Sequence, residues 1–181
     1  DAATRRKCAW AIGMIGTKES VMALQTYLDD SDPEVRYQAA RAFEVAMPES
    51  MANDIAKRAA DNAQDPRVRV KLIGALQLHA PAKLARDIVL AVLASDAPED
   101  VRKRAAYALT RVVGQDDENT LAKAIASEAD AYVTARLAFT LNKLTGVTQN
   151  VEAVGKSKPG EGNEFIEKWR NAPKEKTAVA Q

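Results

Sequence analysis

The sequence predicts an all-α fold of stacked helical hairpins, and three observations carry that prediction. A Val-Arg-x-x-Ala-Ala-x-Ala-Leu pattern recurs, with copies starting at residues 4, 35, 68, 101 and 133. The apolar residues of each copy fall at helical spacing, and turns bearing helix start signals stand ahead of the copies. Successive starts lie 31, 33, 33 and 32 residues apart, and a period in the low thirties marks a stacked repeat array.

Taken in order, the first copy (Thr4-Arg5) has only three residues ahead of it. It therefore lacks a leading helix, and the chain reads as a fragment of a longer array. The second copy sets the pattern: Val35, Ala39, Ala42, Phe43 and Ala46 make one stripe, matched in the fourth by Val101, Ala105, Ala108, Leu109 and Val112. Small residues let neighbouring helices approach, and the larger one fills the layer between repeats. Weaker copies begin at Val68-Arg69 and Val133-Thr134.

The start signals are Ser31-Asp32-Pro33-Glu34, Gln64-Asp65-Pro66-Arg67, Asp96 to Asp100 and Glu128 to Ala131. Asp32 and Asp65 can accept from free first-turn amides, and Pro33 and Pro66 suit the first helical position because they have no amide to satisfy. A leading helix precedes each signal, over residues 19–29, 49–62, 82–94 and 118–127. A lone hairpin cannot bury its stripe, so the hairpins must stack. The expected result is an α-α superhelix, or solenoid, of about four to five hairpins over residues 1–146.

After Leu144 and Thr145, Gly146 can take the left-handed conformation that ends helices. Residues 147–163 read as a loop. Asn163 is a candidate cap for a C-terminal helix over 164–172, whose Phe165, Ile166 and Trp169 would cover the open apolar end of the stack. Residues 173–181 read as a disordered tail.

Composition agrees with this architecture and excludes several functions. Apolar residues make up 46% of the chain but aromatics only 5%, a balance that suits close-packed helices better than a sheet core. Twenty-six basic against twenty-five acidic residues leave a formal charge of +1, which argues against a dedicated nucleic-acid partner. One cysteine and one histidine exclude an internal disulfide and any site needing two imidazoles. No apolar run is long enough to span a bilayer. The segment reads as soluble, cytoplasmic or, with a leader removed, periplasmic.

Asp32-Pro33-Glu34-Val35-Arg36 followed by Ala39-Ala40-Arg41-Ala42-Phe43 resembles the HEAT-like repeat of the phycobilisome-lyase type, in the armadillo-like class. The resemblance covers about residues 4 to 146, and the ending resembles bacterial HEAT proteins that finish in Leu-Thr-Gly and a tryptophan-bearing helix. Pro98 replaces the aspartate in the fourth unit and Thr134 the arginine in the fifth. The resemblance implies that the second helix of each hairpin lines a concave surface. It specifies the fold more than the activity.

Three columns of these second helices would then floor the groove. Lys7, Gln38, Lys71, Arg104 and Arg136 form the first; Trp10, Arg41, Gly74, Tyr107 and Phe139 the second; Met14, Val45, Leu78, Arg111 and Lys143 the third. Offsets of three and seven lie on one helical face, so the strip is basic with interleaved aromatics. Lys7, Trp10, Gln38, Arg41, Lys71, Arg104, Tyr107, Arg111, Arg136 and Phe139 are the candidate binding residues. The alternative is that the aromatics pack between repeats and the cations are solvated surface.

Other residues have ordinary explanations. The column Arg5, Arg36, Arg69, Arg102 is expected to reach aspartates of adjacent repeats, such as Asp32 or Asp65. His79 falls in the last turn of its helix, where it can bond free terminal carbonyls. Cys8 aligns with Ala39, Leu72, Ala105 and Leu137 and reads as a small core residue. Asp29-Asp30, Glu99-Asp100 and Asp116-Asp117 lack the spacing of a calcium loop, and Gly155, Gly160 and Gly162 fit no phosphate cradle.

No catalytic residue, cofactor or metal is expected. The sequence reads as a scaffold for a protein or peptide partner with acidic character. The alternative is a HEAT-type enzyme, a lyase-like subunit or a nucleic-acid-binding HEAT protein such as the alkylpurine DNA glycosylases, against which no acid stands out beside the groove aromatics. A HEAT-repeat hydroxylase is excluded, because that family needs repeated His-Glu pairs and Ala80 follows His79.

Overall fold

In the computed structural model, which describes residues 1–147 and 162–171, the chain is all-α, with no strand among the described residues. The helices are α1 (Ala2–Ile15), α2 (Lys18–Met22), α3 (Pro33–Ala46), α4 (Ala52–Ala60), α5 (Pro66–His79), α6 (Ala82–Leu93), α7 (Glu99–Val112), α8 (Glu118–Ser127), α9 (Ala131–Thr145) and α10 (Gly162–Asn171). Two compact units are distinguished, Asp1–Ala108 and Leu109–Gln181.

The start signals act as their chemistry requires. Asp32 accepts from the amides of Glu34 (2.9 Å) and Val35 (3.1 Å), Asp65 from Arg67 (2.8 Å) and Asp130 from Val133 (2.8 Å). Each such cap is worth about 1 kcal/mol. Pro33 and Pro66 open their helices, and Gly146 closes α9 with φ of 71°.

The repeat register holds in the core. Val35, Val68, Val101 and Val133, at the same position of successive copies, are all fully buried. In the first unit α1 packs on α3, α3 on α5, and α4 on both α5 and α6. In the second, α8 packs on α9 and on α10. The Ile166 and Trp169 side chains are buried there, and the Trp169 indole N–H donates to Thr145 Oγ1 at 3.2 Å.

The leading segments depart from the simple helices expected of them. Residues 18–29 divide into α2 and a 3-10 turn at Gln25–Asp29, held by bonds such as Leu24 N–H to Val21 C=O (2.9 Å) and Tyr27 N–H to Leu24 C=O (3.0 Å). The tighter winding keeps Val21, Leu24 and Leu28 all inward and fully buried. Likewise a 3-10 turn at Glu49–Met51 precedes α4. The final helix already includes Gly162, and the side chain of Asn163, the expected cap, lies outside the described residues. The Phe165 side chain, most of the expected 147–163 loop and the expected 173–181 tail lie outside the described residues.

Arg36 and Arg69 depart from the expected ladder of aspartates and bond backbone carbonyls instead. Arg5 finds an acid of the next repeat, donating to both oxygens of Asp30 at 2.6 and 2.9 Å, while its neighbour Arg6 takes Asp32. Arg36 donates to the carbonyls of Asp30 (2.8 Å) and Ser31 (3.2 Å), Arg69 to Ala59 C=O (3.0 Å) and Arg102 to Ala97 C=O (2.6 Å). These three therefore fasten the turn that leads into their own helix, satisfying carbonyls that a bent backbone leaves without helical partners. Arg69 is 1% exposed, and its burial pulls the guanidinium pKa below the ordinary arginine value.

Cys8 is exposed, not core. Its counterparts Ala39, Leu72, Ala105 and Leu137 are fully buried, sheltered within hairpins that supply a leading element.

Candidate functional site

Of the three predicted columns, Gly74 is buried, Gln38, Lys71, Arg104 and Arg136 are partly exposed, and the other members among those described are at or near the surface. Trp10, Tyr107 and Phe139 are 49%, 41% and 48% exposed, and Met14, Val45 and Leu78 are exposed beside them. The aromatics are therefore half in solvent rather than wholly enclosed between repeats. Lys7, Arg41, Arg111 and Lys143 are exposed as well.

In the first unit the strip has two chemically different parts. Between α1 and α3 lies a shallow pocket of about 40 Å³. Ala9, Gly13 and Ala42 lie along it with Trp10, Met14 and Val45, and Gln38 and Arg41 supply its polar lining. The Gln38 amide donates to Glu34 Oε1 at 2.9 Å, while its oxygen is buried without a hydrogen-bond partner.

Farther along stands an acid that the columns do not show. Glu44, in the last turn of α3, accepts from Lys71 Nζ of α5 at 2.9 Å on one carboxylate oxygen and from Arg104 Nη2 of α7 at 2.9 Å on the other. Its backbone carbonyl, one of the terminal carbonyls of α3, accepts from His79 Nε2 at 3.0 Å. That nitrogen therefore carries the imidazole proton. His79 does bond a free helix-end carbonyl, as its position suggested, but one belonging to the neighbouring repeat.

Gly74 makes this cluster possible. A Cβ built there would lie 2.2 Å from Glu44 Oε1 and 2.3 Å from Arg104 Nη2. The missing side chain leaves a saddle on α5 across which α7 reaches α3. Arg104 also lies over the Tyr107 ring, 5.5 Å from its centroid. Two cations expected to offer free positive charge thus share one carboxylate instead.

In the second unit Arg136 Nη2 donates to Tyr132 Oη at 3.2 Å, with the guanidinium 5.7 Å from that ring's centroid. Phe139 is exposed one turn along α9. No group of three or more acidic, histidine or cysteine side chains suited to a metal occurs among the described residues. The acidic pairs have other partners: Asp29 with Arg58 (2.5 Å), Asp30 with Arg5, and Glu99 with Lys103.

Residues 1–49 match the family model for HEAT repeats, which spans α1 through α3 and the hairpin that joins them. This is a HEAT-repeat protein. The match is to HEAT repeats at large. No curated protein matches the chain. HEAT repeats commonly serve as protein-interaction scaffolds, and no described helix of this HEAT protein is long and apolar enough to cross a membrane.

Proposed function

We propose that this HEAT-repeat protein is a protein-binding module that works through the exposed strip on α1, α3, α5 and α7, by binding rather than by catalysis. The observation that carries this reading is the run of large exposed apolar side chains at matching positions of successive helices: Trp10 and Met14, then Val45, then Leu78, then Tyr107. Large apolar groups held in water on one face mark association surfaces. The chemistry of the strip suits a protein better than a nucleic acid. Lys71 and Arg104 are both held by Glu44, which offsets one of their two charges, whereas a phosphate backbone is held by rows of available cations. Glu44 in turn has both carboxylate oxygens engaged, so it acts as a counter-ion.

A photocrosslinking comparison tests the proposal. Benzoylphenylalanine replacing Leu78 should give discrete crosslinked protein species in an extract of the source cells. The same group replacing Lys83, exposed at the start of α6, should not. Equal crosslinking from both positions, or none from Leu78, would overturn the reading.

A further inference from the structure

We infer that the pocket between α1 and α3 takes a branched aliphatic side chain from a peptide segment whose flanking residues are acidic; this rests on the protein-binding reading above. Size sets the anchor. A volume of about 40 Å³ holds roughly three waters, which matches the tip of a leucine or isoleucine and is far too small for an indole. The walls set its polarity, because Trp10, Met14 and Val45 present apolar surface while remaining substantially exposed.

Charge sets the flanks. Arg41 lines the pocket and Lys7 lies one helical turn before Trp10 on the same face of α1. Neither has an ion pair among the described residues. In this they differ from Lys71 and Arg104, which both pair with Glu44. An apolar pocket edged by two available cations is complementary to an acidic and aliphatic segment. A nucleic acid would use the cations but gain nothing from the aliphatic pocket.

The two tryptophans make the test specific. Trp10 is half exposed at the pocket, whereas Trp169 is buried with its indole N–H on Thr145. The full chain, labelled with nitrogen-15, therefore gives two distinguishable indole N–H signals. The probes are capped Ser-Glu-Glu-Leu-Glu-Glu-Ser and versions with alanine or tryptophan replacing the leucine, or lysines replacing the glutamates. A short DNA duplex forms a separate arm.

The Glu and Leu peptide should shift the Trp10 signal and leave Trp169 in place. The alanine version should bind at least about tenfold more weakly, and the tryptophan and lysine versions should lose binding. Arg41→Glu should abolish binding of the acidic peptide and admit the lysine version, with an unchanged circular dichroism spectrum because Arg41 is exposed.

The inference fails if no peptide moves Trp10, if the lysine version binds the native chain equally well, or if only the duplex moves it. It also fails if peptides perturb only residues near Leu78 and Tyr107, an outcome that leaves the protein-binding reading standing. Failure of crosslinking at Leu78 together with a silent Trp10 would remove both.

Discussion

Arg104 on α7 holds Glu44 on α3 at 2.9 Å by reaching over the bare backbone of Gly74 on the helix between them. Both side chains are 21% exposed, so the pair is partly shielded from solvent and its contribution is modest, about 1 kcal/mol. A double-mutant cycle on Glu44→Gln and Arg104→Gln should return a coupling of that size. Gly74→Ala should reduce it to near zero, because the new methyl occupies the crossing point. The displaced atoms are tips of flexible side chains, and alanine favours helix over glycine by about 1 kcal/mol. Gly74→Ala should therefore keep a melting temperature within about 3 °C of the native chain. A fully retained coupling energy in the Gly74→Ala background would contradict the saddle.

Removing the charge of Glu44 releases two cations. Glu44→Gln should raise affinity for duplex DNA at low salt and make the dependence of log K on log salt steeper by about 1, for the one unit of positive charge it uncovers between Lys71 and Arg104. Fluorescence anisotropy between 20 and 200 mM salt provides the check. An unchanged slope would mean that the two cations were not held by Glu44.

Acid should loosen the contact between α1 and the turn before α3. Arg6 lowers the Asp32 carboxyl to about 2, and Arg5 and Arg58 hold Asp30 and Asp29 below the ordinary carboxylate value. A depressed carboxyl binds fewer protons folded than unfolded, so stability falls as pH falls. The contribution is complete above about pH 4, the ordinary aspartate range, and disappears as pH drops through about 2. Urea midpoints should decline across that window in the native chain. The decline should be shallower in the variant Asp30→Asn with Asp32→Asn, since asparagine preserves the cap but does not titrate.

Trp169 secures α10. Trp169→Ala should destabilise the second unit by about 3–5 kcal/mol and render the C-terminal segment sensitive to limited proteolysis. Thr145→Val, which removes the acceptor of the indole N–H, should cost about 1 kcal/mol. Protease resistance matching the native chain in Trp169→Ala would show that the indole does not fasten this helix.

The hairpins were readable because each signal was local. An aspartate before a proline caps a helix wherever it stands, and a stripe beginning at Val35 or Val101 has one face to bury. Surface exposure of Trp10 and Tyr107 followed from their offset from that stripe. Glu44 escaped because its column reads Gly13, Glu44, Gln77, Thr110, Asn142, so its acid occurs once and no periodic signal accompanies it. Gly74 was the available hint, a small residue interrupting a column of large ones, and its meaning depends on residues thirty positions away on either side. Arg36 and Arg69 leave the expected ladder because a backbone carbonyl five to ten residues back is nearer than an acid one repeat away. Cys8 was misplaced because alignment transfers a position but not the neighbour that covers it.

A solenoid is ordinarily treated as a one-dimensional chain of units coupled only to the next in line. The tie between Glu44 and Arg104 joins helices two units apart, with His79 and Lys71 linking the unit between them to the same glutamate. Peeling away one unit in this stretch disturbs two junctions at once. Residues 33–108 should therefore melt as a longer cooperative block than the repeat length alone dictates.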